Sequence, residues 1–414
     1  MRDRSVFSIA AVLGKLSRCW MDKDFPFRKK AAERLVRHSG FSEAMAEALL
    51  DATFAELTEK KLLDLLRSEI GDPRCLDGFR RDPCGGRDLR ARGPESIVHV
   101  FSSNIPNAAV WSFVFGLLIK SRNIGKLSSR DEGFLDLYLA SLKAADRSLA
   151  SQNRLVNPSD RRALPPYIKE AGLVIAYGSD ESLGEIRRQV PAATPFFGYG
   201  HRISLGLYFK EALKDRELSK KAACDVWMAD QRGCLSPVSL YVEQGGALAP
   251  SAFAVRLAEE LARLQKKERS APRRDAASAA AASRLRDRSL IAKLKGKNSF
   301  FVESSPRGRW VVHYEEMPRR DRTLFCPYGA QIISVRGFSR MDDVFFSLKP
   351  ISKYLQCVAL ECDPPRRKSL AEKFSALGAN RLCRAGQMQL PPLTWHHDGK
   401  PNLASWVRWT DLEK

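Results

Sequence analysis

Ser96-Ile97-Val98-His99-Val100-Phe101, then Ser102-Ser103-Asn104-Ile105-Pro106, then the mostly apolar residues 107–120, is the stretch on which the fold turns. A short β-branched and apolar run without polar alternation reads as a buried parallel strand. A polar segment ending in Pro reads as a turn, and the apolar run after it as a helix. The unit then repeats. Residues 123–127 read as a strand and 133–149 as a helix. Gly172-Leu-Val-Ile-Ala-Tyr177 reads as a strand, closed by Gly178-Ser179-Asp180 and followed by a helix over 181–189. Strand, turn, helix in succession is the pattern of a parallel α/β sheet, whose ligands bind at the strand C-termini.

Working outward, the chain predicts four parts. Residues 1–94 form a helical region in which Thr58 caps a helix carrying Leu62, Leu63, Leu65 and Leu66, and the Gly/Pro-rich 71–95 is a loop. Residues 95–225 form a nucleotide-binding α/β domain, with a helix at 210–223. Residues 226–387 form a second α/β domain: a strand at 238–243, a helix at 250–267, strands at 299–303, 310–314 and 330–335, a helix at 341–351, a strand at 355–361 and a helix at 365–377. Residues 388–414 are an irregular tail whose Trp395, Trp406 and Trp409 are available to pack on the body or on a partner subunit.

Composition narrows the class. The 414 residues carry 69 Lys+Arg against 48 Asp+Glu, a net charge of +21, and are 44% hydrophobic, which suits a globular chain. No apolar run approaches the roughly 20 residues that span a bilayer, and no cleavage site follows the short apolar run at 6–13. Nine scattered cysteines without a C-x-x-C pair predict reduced thiols in a cytoplasmic protein, with neither a disulfide framework nor structural zinc. Residues 266–297 hold eleven basic and three acidic residues, +8 of the total. No helix-turn-helix, zinc-finger or aromatic RNA-binding signature accompanies them, so the segment is read as a solvated basic insertion rather than a nucleic-acid interface.

Several residues carry possible chemistry. Cys234 lies in Asp230-Gln-Arg-Gly-Cys-Leu-Ser-Pro237, a turn with Gly233 beside it and Pro237 at its exit. A nucleophilic thiol needs such access and nearby amide donors; the alternative is an inert buried thiol. Asn104 sits in a strand-to-helix turn, where its amide suits an oxyanion; the alternative is a helix cap. Gly178-Ser179, at another such turn, offers N–H groups to a phosphate, or Ser179 simply caps the helix. Lys126 ends a strand, within reach of a ribose or phosphate, or is a solvated surface lysine. His201 suits proton transfer or a structural hydrogen bond. His396-His397-Asp398-Gly399 lacks a third metal ligand at suitable spacing, so no metal site is expected.

Taken in order, Ser103-Asn-Ile-Pro106, Gly125-Lys-Leu-Ser128, Tyr177-Gly-Ser-Asp180, Tyr199-Gly-His-Arg-Ile-Ser204, Asp230-Gln-Arg-Gly-Cys-Leu-Ser-Pro237 and Trp395-His-His-Asp-Gly399 resemble the fatty acyl-CoA reductase family typified by the LuxC subunit of bacterial luminescence systems, within the aldehyde dehydrogenase superfamily. The resemblance implies a Rossmann-type cofactor domain, a second α/β catalytic domain and a small oligomerisation element. It implies NADPH-dependent reduction of a long-chain acyl thioester to a fatty aldehyde. Cys234 would be the acylated nucleophile, Asn104 an oxyanion donor with the Cys234 N–H, and His201 a catalytic group. Lys126, Ser128, Gly178 and Ser179 would hold the cofactor. Acyl-CoA or an acyl carrier protein would be the donor, an acyl-protein synthetase a possible partner, and the enzyme a homo-oligomer. Two departures stand out. No glutamate base occurs at the 200–201 region, which disfavours hydrolysis, and Thr323-Leu-Phe-Cys-Pro327 has Thr where the superfamily's ribose-binding glutamate falls. The other readings are an acylating dehydrogenase of a short or modified acyl group, and a non-catalytic basic binding protein on the same fold.

Overall fold

The expected central strand, Ser96–Val100, is buried at all five residues. The computed structural model in which it is seen describes residues 3–102, 107–128, 133–157, 163–266, 276–304, 309–319 and 332–413. Two units are distinguished by their internal packing. The first comprises Met1–Ser39, Ala46–His201 and Pro392–Lys414, the second Gly40–Met45 and Arg202–Pro391.

The first unit opens with four helices, α1 Val6–Met21, α2 Pro26–Ser39, α3 Glu43–Phe54 and α4 Glu59–Ile70. Thr58 caps α4, its hydroxyl accepting from the Lys61 N–H. Strands β1 Arg80–Arg81 and β2 Asp88–Arg92 then lie within the stretch read as loop. The α/β core follows: β3 Ser96–Val100, α5 Asn107–Leu118, β4 Arg122–Lys126, α6 Phe134–Ala145, α7 Arg147–Ala150, β5 Asn153–Val156, α8 Leu164–Glu170, β6 Leu173–Tyr177, α9 Asp180–Gln189 and β7 Phe196–Tyr199. The helix expected over 133–149 breaks at Asp146, whose extended backbone and side-chain bond to Leu149 N–H start a new helix. The five strands are all parallel, in the order β5-β4-β3-β6-β7. The chain runs outward from β3 to β5, then crosses back to β6 and β7. That reversal places a topological switch point between β3 and β6.

In the second unit β8 Ile203–Tyr208 is buried along its whole length. Helix α10 Leu218–Trp227, β9 Pro237–Glu243, α11 Pro250–Lys266, α12 Ala276–Leu294, β10 Ser299–Glu303, β11 Val311–Glu316, β12 Ile332–Phe338, α13 Met341–Leu348, β13 Leu355–Glu361, α14 Pro364–Ala376 and β14 Arg381–Cys383 follow. Their sheet runs β10-β11-β12-β9-β8-β13-β14, parallel except for the β10–β11 edge. One apolar cluster packs Leu205, Leu207, Phe209 and Val358 against Phe374 and Leu348. A smaller one sets Ala281, Ala282 and Leu285 of α12 on Val311 and Ile332. Arg336, fully buried in β12, is matched by Glu315 at 3.1 Å, which Arg288 also engages. A buried cation without such a partner would cost several kcal/mol.

The chain then returns to the first unit. Glu69 accepts from the N–H groups of Asn402, Leu403 and Ala404, and Glu56 from that of Leu393. The last strand, β15 Arg408–Leu412, pairs antiparallel with β2. Two further features differ from the sequence reading. The part of the first unit that carries its parallel sheet ends at His201 rather than near residue 225, because β8 hydrogen-bonds to β9 and β13 in the other sheet. The tail ends in a strand instead of being wholly irregular. Among the described residues the architecture is α/β, with one parallel sheet, one parallel but for its β10 edge, and a small antiparallel one.

Candidate active site

The catalytic candidate lies in the second unit, where the chain leaves α10. Ala229 (φ 57°), Asp230 (φ 52°) and Gln231 (φ 58°) are three successive non-glycine residues in the left-handed region. Each costs roughly 1–2 kcal/mol, so the turn persists only because its surroundings hold it. The Gln231 side chain supplies much of that hold. Its Nε2 donates to the carbonyls of Pro237 at 2.6 Å and Ile332 at 3.0 Å, and its Oε1 accepts from the Ile332 N–H at 2.8 Å. The turn that bears Cys234 is thereby tied to the starts of two adjacent strands. Asp230, 2% exposed, pairs with Arg232 at 3.1 Å, and the Arg232 guanidinium lies over the Phe41 ring.

Cys234 itself is half-buried. Its carbonyl accepts from the Ser204 hydroxyl at 2.7 Å, and that hydroxyl accepts from the Cys357 N–H. The Ser236 N–H closes a turn onto the Gly233 carbonyl, and the Ser236 hydroxyl accepts from Gln389 Nε2 at 2.7 Å. The backbone of the motif is therefore held by its frame on both sides of Cys234. Arg309 is buried nearby in charge terms: burial pushes its guanidinium down, and the Asp230 carboxylate opposes that shift. Two guanidinium groups thus act around Asp230. Among the other described cysteines, Cys75, Cys357, Cys362 and Cys383 are buried, and burial pushes the Cys75 and Cys362 thiols up. The Cys75 and Cys362 thiols are therefore poor nucleophiles.

The cofactor candidates lie in the first unit, at the C-terminal ends of the two strands that flank β3. Lys126 ends β4, Ser128 follows it, and Gly178 and Ser179 follow β6. A Cβ added at Gly178 would meet only the Ser182 Cβ, at 3.4 Å, and its backbone is not left-handed. The glycine is consequently needed for neither the turn nor the packing; what it leaves is an open face at the strand end. Ser179 caps α9, its hydroxyl accepting from the Ser182 N–H at 3.3 Å. A lysine ammonium, an open glycine and a helix start form a donor set that fits a dinucleotide's phosphates, although Asp180 and Glu181 in the first turn of α9 temper the charge. His201, half-buried, closes the first unit after β7. Asn104 and the 323–327 segment lie outside the described residues.

Sequence reasoning missed a run of aromatic rings at the same strand ends. Phe101 stacks on Tyr177 (5.7 Å), Tyr177 on Tyr199 (4.9 Å), Tyr199 on His397 (4.4 Å), and His397 meets Trp395 (5.1 Å). His397 is thus occupied as a stacking ring, and no group of three potential metal ligands occurs among the described residues. Gln231, Ser204 and Gln389 were also missed. Only their motif membership, for Gln231 and Ser204, signalled them.

A family model described as acyl-CoA reductase (LuxC) matches residues 1–409. No curated protein matches the sequence. Among solved structures the chain resembles an NAD-dependent benzaldehyde dehydrogenase from Corynebacterium glutamicum, at 13% identity and TM-score 0.66, covering 100% of this chain and 87% of that one. It also resembles glyceraldehyde-3-phosphate dehydrogenase GapN from Methanocaldococcus jannaschii complexed with NADP (11%, TM-score 0.68, 99% and 90%) and aldehyde dehydrogenase 21 from Physcomitrella patens (12%, TM-score 0.69, 99% and 86%). At these identities the likeness is one of fold.

Proposed function

Because this chain belongs to the acyl-CoA reductase (LuxC) family, an oxidoreductase family acting at the aldehyde level, we propose that it reduces long-chain fatty acyl thioesters to fatty aldehydes with NADPH, through an acyl-cysteine on Cys234. The observation that carries this reading is the Cys234 turn, strained yet clamped by Gln231 and Ser204, which fixes a half-buried cysteine just before β9.

The Cys234 thiolate attacks the thioester carbonyl, and the carbonyl electrons move onto oxygen. The Cys234 N–H and the Asn104 amide hold that oxyanion. Its collapse breaks the bond to the carrier sulfur, and the carrier leaves as a thiol with a proton for which His201 is the donor. Lys126, Ser128, Gly178 and Ser179 would hold NADPH, which would supply the hydride that takes the acyl group to the aldehyde level. A second oxyanion, a thiohemiacetal on Cys234, is held by the same donors. It expels the Cys234 thiolate, and the aldehyde departs. Lys126 favours a 2′-phosphate, and hence NADPH over NADH. The acyl donor is acyl-CoA, an acyl carrier protein or an acylated partner such as a synthetase, and the enzyme works as a cytoplasmic homo-oligomer. No helix among the described residues is long and apolar enough to cross a membrane.

The test mixes purified protein with tetradecanoyl-CoA and NADPH and follows absorbance at the nicotinamide band. Acyl-CoA-dependent oxidation that Cys234→Ala abolishes supports the reading; equal rates for the two proteins overturn it. A rate that peaks at short acyl chains replaces the long-chain assignment with a short-chain one.

A further inference from the structure

The basic segment finds no place in this chemistry, yet its helix has an unusual surface. Helix α12 packs one side on the β10–β11 edge of the second sheet. An ordinary surface helix is polar on the side away from its core. Here the outward side of the last turns carries Leu290, Ile291 and Leu294, which are 59%, 52% and 79% exposed. Leu294 is the most exposed large hydrophobic residue among those described. Lys293, Lys295 and Lys297, all exposed, lie beside them in the chain. An apolar patch rimmed by charge marks a contact surface.

The composition indicates what it contacts. The patch sets three aliphatic side chains among the exposed Arg284, Arg286, Lys293, Lys295 and Lys297, with Asp287 as the one exposed acid of these turns. That is the composition of a helix lying in a lipid headgroup layer, aliphatic chains inserted and lysines at the phosphates. We propose that the C-terminal turns of α12 dock this protein on an anionic lipid surface. The inference goes beyond the proposed reaction and does not depend on Cys234.

The experiment is flotation of the full chain with phosphatidylcholine vesicles, with and without phosphatidylglycerol. Binding is expected only to the vesicles with phosphatidylglycerol, weakening as salt is added. Replacing Leu290, Ile291 and Leu294 together by Ser should lower the affinity about tenfold or more per inserted side chain. Replacing Lys293, Lys295 and Lys297 by Gln should lower it roughly fivefold per lysine. Exposed positions should keep the wild-type urea midpoint, which shows that both variants fold. Absence of binding overturns the proposal. So does loss of binding in the Gln variant with full binding in the Ser variant, which would mean charge attraction alone. A Ser variant that changes the oligomeric state of vesicle-free protein would assign the patch to a second copy and overturn it too.

Discussion

Gln231→Met keeps the side chain's length and removes its three hydrogen bonds, at 2.6, 3.0 and 2.8 Å. At a net 0.5–1.5 kcal/mol each, these contribute about 3 kcal/mol. They oppose three left-handed residues whose strain totals roughly 3–6 kcal/mol. The two magnitudes are close, so the variant's turn relaxes instead of holding its shape. Relaxation recovers part of the lost energy, and the urea-derived stability should fall by less than about 3 kcal/mol. The larger effect is on the position of Cys234. Misplacing a reacting group by about 1 Å costs roughly 100-fold, and acylation by a tritiated acyl-CoA in a single turnover should slow by about that factor. Gln231→Glu should be slowed as well, because a carboxylate cannot donate to two carbonyls, and its deficit relative to wild type should shrink as the pH is lowered and the carboxyl regains a proton. A Met variant that acylates within twofold of wild type would refute the clamp, while inactive Cys234→Ala beside it would leave the nucleophile standing.

Gly178→Val fills an open face without backbone strain; the KM for NADPH should rise about tenfold or more with little change in stability, and an unchanged KM would move the cofactor elsewhere. His99 is fully buried between Ser112 and Asn123, and burial depresses it to about 3. Its folded value lies below the unfolded one of about 6.5, so the unfolded chain takes up a proton first. Stability contributed by its neutral form is full above about pH 6.5 and falls by about 2 kcal/mol by pH 5. His99→Gln should flatten the urea midpoint over that interval by one proton's share; an unaltered slope counts against it. Glu69→Ala removes the acceptor of three tail N–H groups; the region near residue 400 should become an early site of limited proteolysis and stability should drop by about 2–4 kcal/mol, whereas wild-type resistance would show that the tail is held otherwise.

The sequence was most legible where local and global preferences agree. Strand β3, helix α5 and the β6-turn-α9 unit, with Ser179 as the cap, follow from apolar runs bounded by turn residues. Strand β8 was passed over because Ile-Ser-Leu-Gly-Leu-Tyr comes directly after β7 with no helix between, and nothing local says that two successive strands join different sheets. Strands β2 and β15 are charged edge strands whose pairing partners lie at opposite ends of the chain. In the candidate site, the Cys234 turn stood out by its motif. Its clamp did not, since Gln231 meets Ile332 across 101 positions of sequence. The stacking of Tyr199 on His397 is hidden for the same reason.

The central claim is an acyl-cysteine on Cys234, and one labelling experiment bears on it most directly. Wild-type protein incubated with a tritiated long-chain acyl-CoA and no NADPH should retain label that hydroxylamine removes. Addition of NADPH should discharge that label as fatty aldehyde, and Cys234→Ala should carry none. Label that stays on the Cys234→Ala protein, or that NADPH fails to discharge from wild type, would contradict the account.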